Sequence, residues 1–551
     1  MRSQNTLGAL VILVVCAACG GGNNSGNTPG TDPGTTPPAP TYTIGGTVTG
    51  LRGSGLTLQN GNTHLPVASD GAFTFPDELT SGTSYSVSVQ AQPSSPTQAC
   101  TVTDGGGAVG ATNITNVAVT CVTPEASRSW QTAIPLHQDD ARAEEGPSLA
   151  INAHGTAALV WRQRDTHDVV QIWASRYTPE QKTWSAPTRL GPQGGGIALS
   201  AEAIPQVAIS ESGDTLAAWP QLVNGVYEVQ ESRYTDSAGW TAPVRIDTAT
   251  STAAYSRVIY DSSGNALALW QQLDGTSYHI YYSWLTAAAT TWSAPVRLDT
   301  TLGNAGSSRL AADAHGNVVA LWTQTDSAQT DAIYHVWSSV YISSTAVWSP
   351  PAVVGNDPTL HAIFPSVACN ADGTAEALWV LFDGSIWSNQ YAPVAGWGAA
   401  KMVEAGGNGN QAPQMAIDPS GNVMAIWERM DPNTPTSHIR YAALPAGSGS
   451  WSASAQVSAM DAGASENTEV PQIAFDARGE ALAIWSRFVD GHENARSAVY
   501  TPGTGWSTPV DAGNTADIDE PALAVAPNGT AVAAWQQISN GVSNLWANFF
   551  D

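Results

Sequence analysis

The chain has 551 residues, with 20 Lys and Arg against 46 Asp and Glu, and a formal net charge of −26. Charged residues make up only 12% and the lysines are two, Lys182 and Lys401. The clustered cations that phosphate backbones require are missing, so nucleic acid is excluded as a partner, and the 42% apolar content with 21 Trp excludes wholesale disorder.

The N-terminus reads as an address. Residues 1–18 hold Arg2, the apolar run Leu7–Val15, and Cys16, Ala17 and Ala18. A positive start, a short apolar core and small residues before a cut site predict a secretory signal peptide, too short to span a bilayer as a permanent helix. The residues alone leave open plain signal-peptidase cleavage and a free secreted protein. The end of this segment resembles the lipobox of bacterial lipoproteins, with Ala17 and Ala18 before Cys19; Cys16 stands where that family usually has Leu. The resemblance implies palmitate-type lipidation of Cys19. Gly20 in place of Asp implies sorting to the outer membrane, on its periplasmic face or at the cell surface. Residues 19–41 are rich in Gly, Pro and Thr without apolar periodicity, which predicts a flexible tether.

Residues 42–123 alternate polar and apolar in short runs such as YTIGGTVTGL, SYSVSVQA and NVAVTCV. Gly, Asn and Pro break the runs, predicting a small β-sandwich of about seven strands. Cys100 and Cys121 lie in two such runs, and an oxidising compartment predicts a disulfide worth roughly 3 kcal/mol for a loop of about 20 residues. The phrasing resembles an Ig-like or prealbumin-like module of bacterial surface proteins, which implies a spacer or adhesive role and no catalytic residues. His64 reads as a solvent-exposed loop residue.

The rest of the chain is repetitive. A phrase of an apolar strand, a D-x-x-G-like turn and a second apolar strand ending in Trp occurs eight times, with the Trp at 161, 219, 270, 322, 379, 427, 485 and 535. These define repeats 1 to 8, with a period of ~53 residues, close to that of propeller blades. Each also has a third strand, such as IWASRY, and a Trp-led fourth phrase, such as WSAPVRL. Four short strands per period predict an antiparallel blade, and residues 128–551 an eight-bladed β-propeller. Trp130 begins a fourth-strand phrase before repeat 1, while the chain stops after a third strand. The N-terminal strand at Trp130 is therefore expected to complete the last blade and close the ring. The whole is all-β: a small sandwich followed by the propeller.

Within each repeat, the Asp of the turn (Asp261, Asp418, Asp476) is expected to accept backbone N–H bonds while Gly supplies the turn. The terminal Trp is expected to fill the gap between neighbouring blades, and Cys369, in PSVACNADG, to be a buried structural thiol. Residues 130–551 carry 17 basic and 40 acidic side chains, the acids notably in connections from fourth to first strands. Glu145, Glu202, Glu469 and Glu520 each sit one to three residues before a Pro that opens a first strand, in repeats that adjoin one another in a closed ring. They are the candidate ligand-binding set, an electronegative patch at the propeller mouth for a cation or a polar ligand; solvated acidic loops are the plainer reading.

No catalytic residue, metal site or cofactor is expected. The histidines are scattered without ligand spacing, and Ca2+ is possible but supported by no motif. His154 and His315 occupy equivalent turn positions. The enzyme alternative is a sialidase-like glycoside hydrolase using loop carboxylates, with Arg162, Arg176, Arg233, Arg429 and Arg487 as possible anion ligands. The turns fail the sialidase Asp-box spacing. The reading is a monomeric lipoprotein of an uncharacterised bacterial repeat family, held to the membrane by its N-terminal lipid. It works as a binding or scaffolding module for a glycan, cation or protein.

Overall fold

The computed structural model describes residues 39–94, 98–122, 128–136, 146–164, 169–191, 204–248, 250–300, 303–327, 332–355, 357–407, 409–430, 436–457, 467–489, 492–513, 518–539 and 542–551. Among them every regular element is a β-strand. The chain forms two compact units, Met1–Ser127 and Arg128–Asp551.

In the first unit, one four-stranded sheet runs Gly71–Thr74, Ile44–Thr49, Ile114–Val122, Ala99–Thr103; the other runs Thr63–Val67, Leu56–Asn60, Ser84–Ala91, Gly106–Ala108. The polar/apolar alternation decides which side is buried: Val117, Val119 and Cys121 face inward while Ala118 and Thr120 are exposed. They pack with Ile44, Val48, Leu56, Leu58, Phe73 and Phe75. Cys100 and Cys121 oppose one another across an antiparallel pair and are bonded. Thr41–Tyr42, Leu79–Thr80 and Gly106–Ala108 add short strands beyond the seven expected, because two or three residues are too few to show alternation.

The second unit consists of successive sheets, one per repeat. In repeat 3 the order is Ala253–Tyr260, Ala266–Asp274, Ser277–Leu285, Val296–Arg297, and all pairings are antiparallel. The second strand is buried on both faces: Ala266, Leu267, Ala268, Leu269 and Trp270 have no solvent exposure. Its Trp enters the neighbouring sheet. Trp322 of repeat 4 packs on Leu269, Ile280 and Leu298 of repeat 3. Burying an indole leaves its N–H to be satisfied, and in five repeats a Gln two residues on accepts it: Gln163, Gln221, Gln272, Gln324 and Gln537, at 2.7, 3.1, 3.0, 2.8 and 3.3 Å.

The turn between first and second strands is built as expected. Asp261 Oδ1 accepts the amides of Ser263 and Asn265 at 2.9 and 2.8 Å, and Gly264 takes φ 77°. Asp313 holds His315 and Asn317 in the same way, and Asn152 does so for His154, so both histidines are turn residues. Cys369 lies against Val319, Val340 and Ala375, and burial pushes its thiol up to about 12.

The last sheet draws on both ends of the second unit. Its order is Ile518–Val525, Ala531–Ser539, Val542–Phe550 and then Ile134–Pro135, which pairs with Trp546 and Ala547. Gln131 N donates to Phe549 O at 2.8 Å and Leu136 N to Leu545 O at 2.9 Å. The first strands of successive repeats contact one another in series, and Ser148–Ile151 of repeat 1 also contacts Ile518–Val525 of repeat 8.

One recurrent irregularity escaped the sequence pattern. Each first strand of repeats 3 to 8 carries a register shift near its start. In repeats 3 to 7 a residue at the shift adopts left-handed φ: Tyr255, Ser307, Phe364, Ala412 and Val470, at 45–50°. Such bulges re-aim side chains at strand ends.

Candidate functional site

The loop end of repeat 5 is where described side chains gather into a receptive surface. It is made by Ala352–Gly355, the fourth strand of repeat 4, and by the strands Ala362–Cys369, Ala375–Leu381 and Ile386–Ala392 of repeat 5. Between them lies a cleft of about 300 Å³, lined among others by Val354, Gly355, Asp357, Trp379, Trp387 and Asn389. Gly355 is obligatory, since a Cβ there would stand 2.2 Å from the Trp379 ring.

The polar groups of the cleft are fixed from behind. Asn389 donates its amide to Val354 O and Gly398 O at 2.9 and 3.0 Å, while its buried Oδ1 has no partner. Asp357 Oδ1 accepts the Thr359 hydroxyl at 2.7 Å and the amides of Thr359 and Leu360 at 2.8 and 2.9 Å. Those bonds, the Thr359 hydroxyl foremost, hold its carboxyl below the usual carboxylate range, so it is anionic at neutral pH.

Phe382 follows Leu381, which lines the cleft, and belongs to an aromatic ledge. Phe382 is 63% and Phe364 47% exposed, unusual for rings with no apolar cover. His361 packs on Phe382 at 4.8 Å and on Tyr334 at 5.9 Å between ring centres. Its Nδ1 accepts the Tyr334 amide at 3.2 Å, which places the neutral ring's proton on Nε2. The hairpin under Phe382 is locked: Asp383 Oδ1 accepts the Ser385 amide and hydroxyl at 2.8 and 2.6 Å, and Ser385 Oγ accepts the Trp387 indole at 2.9 Å. Aromatic faces beside a few fixed polar groups are the usual chemistry of a small-ligand or sugar-ring site.

The sequence pattern missed this ledge, although a signal existed. Phe382 stands three residues after the second-strand Trp, where the chain leaves the sheet and a polar residue is expected. Leu222, Met430, Phe488 and Ile538 occupy that position in repeats 2, 6, 7 and 8, and all are exposed.

The candidate carboxylates fare differently. Glu145, Glu202 and Cys19 lie outside the described residues. Glu469 and Glu520 belong to the first strands Asn467–Phe475 and Ile518–Val525, which contact one another, but their side chains are not among the described ones. The structure does bring forward two other carboxylates. Glu231 and Glu376 are fully buried, and burial raises both above the ordinary range, Glu376 to about 7. Glu231 accepts the Trp292 indole at 3.2 Å inside the layer between repeats 2 and 3.

The arginines proposed for an enzyme site do not meet as one cluster. Arg176 lies over the Tyr234 ring at 4.0 Å, Arg233 donates to Thr290 O at 3.0 Å, and Arg429 pairs with Glu404 at 3.0 Å. Among the described residues no group of three or more His, Cys, Asp or Glu is placed to hold a metal ion.

No protein-family model and no curated protein matches the chain. Solved structures are similar at a distance. An ulvan lyase of polysaccharide lyase family 25 shares 11% identity at a TM-score of 0.45, over 75% of this chain and 95% of its own. A lectin from Burkholderia pseudomallei shares 10% at 0.44, over 70% and 99%. An α-L-arabinofuranosidase from Fusarium graminearum shares 12% at 0.38, over 59% and 98%. These likenesses are too distant to carry residues or chemistry across.

Proposed function

We propose that residues 128–551 form an eight-bladed β-propeller closed by the N-terminal strand at Trp130, and that its loop face binds a glycan. The ring reading is supported by the series of first-strand contacts that returns from repeat 8 to repeat 1, and by the pairing of Ile134–Pro135 with Val542–Phe550. The observation that carries the binding reading is the cleft of repeat 5. Trp379 and Trp387 line it beside an anionic Asp357 and an unpartnered Asn389 Oδ1, and the exposed Phe364 and Phe382 lie at one end of the first two strands of the same repeat. Sugar rings present C–H faces to aromatics and hydroxyls to fixed acceptors, so this surface suits them.

In this reading Cys19 carries the lipid, the Gly/Pro/Thr-rich tether holds the β-sandwich and propeller off the outer membrane, and the monomer presents its loop face outward. The acidic set Glu145, Glu202, Glu469 and Glu520 contributes a second, electronegative sector that suits a cation or a polar ligand.

The test is a glycan array with the full chain, run beside a reducing-end assay on the glycans that bind. Binding without turnover is expected. Turnover would establish the hydrolase alternative, and silence across the array would end the glycan reading in favour of a protein-binding scaffold.

A further inference from the structure

Repeats 3 and 4 break the pattern of the others at one place. The position that is Pro in the other six repeats is Ser256 and Ser308 here, and the next residue, Ser, Gln or Ala elsewhere, is Arg257 and Arg309. A repeat scaffold needs the same residue types at equivalent sites, so a paired departure in adjacent repeats points to a local task rather than to folding.

We propose that Arg257 and Arg309 form a binding site for a compact oxyanion, a carboxylate or sulfate group, on the first strands of repeats 3 and 4. The two side chains converge. Arg257 Nε donates to Ser308 O at 3.2 Å and its Nη1 to Ser256 O at 3.1 Å; Arg309 Nη1 donates to the same Ser308 O at 2.9 Å. Each guanidinium has five N–H donors, so most remain free for a ligand. Neither has a carboxylate partner among the described residues. Arg128, Arg245, Arg297, Arg429, Arg478 and Arg496, in contrast, are all ion-paired.

Ser256 and Ser308 are 0% and 2% exposed, and the hydroxyl oxygen of each lacks a partner. The two guanidinium groups are half-buried. Burial lowers the Arg257 guanidinium to about 9, with the charge of Arg309 adding to it, and burial lowers Arg309 too. Two neighbouring like charges that converge on one carbonyl are what a bound oxyanion would satisfy, through bidentate charge-assisted bonds. The net charge of the chain repels anions at long range, so recognition here is short-range and geometric. The site shares no residue with the cleft of repeat 5 and stands or falls without it.

The experiment is calorimetric titration and thermal unfolding of the full chain with sulfate, acetate and glucuronate, against chloride at constant ionic strength. Sulfate binding marks a general oxyanion site; glucuronate binding without sulfate binding marks a site for a sugar-borne carboxylate. Either supports the proposal if Arg257→Gln with Arg309→Gln weakens it at least tenfold, while Arg52→Gln, an exposed arginine of the first unit, leaves it intact. The double variant is also expected to unfold at a higher temperature than the anion-free wild type, which a purely structural arginine pair would not do. Absence of binding by any of the three anions, or equal affinity in the double variant, overturns the site. Should that variant not fold, a wild-type crystal soaked with the anion that bound in the titration, selenate standing in for sulfate, decides: the anion between the two guanidinium groups supports the proposal, and its absence there overturns it.

Discussion

Replacing Trp130 by Ala should loosen the last sheet, not merely the N-terminal strand. The Trp130 indole donates to Ser497 Oγ at 2.6 Å and its ring lies 5.3 Å from that of Phe550. It packs beside Ile484, Ala495, Ala533 and Trp535, which belong to repeats 7 and 8. Full burial of a Trp is worth about 3–5 kcal/mol on truncation. Trp130 is half-buried, so about 2 kcal/mol follows from packing, with about 1 kcal/mol from the lost bond to buried Ser497. The expected loss is about 3 kcal/mol in urea unfolding followed by tryptophan fluorescence, which reports the second unit alone because every Trp lies at or after Trp130. Amide exchange should accelerate in Ala531–Ser539 and Val542–Phe550. A loss below about 0.5 kcal/mol, or faster exchange confined to residues 128–136, would refute closure by this strand.

Three further outcomes follow from the packing and charges. Trp322→Phe should destabilise by about 2 kcal/mol in the same assay, because Gln324 Oε1 loses its buried donor while its Nε2 stays bound to Asp299 and Gly303 O; a loss below about 0.5 kcal/mol would mean that the bond is idle. The Glu376 carboxyl is raised to about 7 by burial, so the folded state holds a proton that the unfolded state has released. Its stabilising contribution is present below the unfolded value near 4.5 and is lost as pH rises to about 7. Glu376→Gln should therefore stabilise at pH 8, by on the order of 3 kcal/mol, with little effect at pH 4.5; a pH-independent difference would contradict the burial argument. Cys100→Ala with Cys121→Ala should cost the first unit about 3 kcal/mol, read by the far-ultraviolet melting of its strands, and a cost near zero would mean that the sheet alone fixes that loop.

Much of the architecture was legible because it repeats. Eight copies of one phrase average out local ambiguity, and Trp at the end of an apolar strand has few places to go but the layer between sheets. The turn aspartates were legible for the same reason, as D-x-x-G carries its own hydrogen bonds. The W-x-Q bond was present in five repeats yet is not a propensity signal; it emerges only when the indole is buried and its N–H must be satisfied. The arginine pair was hidden by the opposite cause, as a departure from the repeat, while the ledge at Phe382 uses an apolar position that Leu222, Met430, Phe488 and Ile538 share; both are visible only when equivalent positions are compared column by column. The left-handed residues at Tyr255, Ser307, Phe364, Ala412 and Val470 share no side-chain type, so no residue preference could announce the bulge.

The binding reading rests on the ledge and cleft of repeat 5, and affinity electrophoresis through gels containing the best array ligand tests it most directly. The wild-type chain should be retarded. Phe364→Ala with Phe382→Ala should lose at least tenfold in affinity, with its urea midpoint unchanged because both rings are already exposed. Retardation identical in the double variant would contradict the account and move the site elsewhere on the chain.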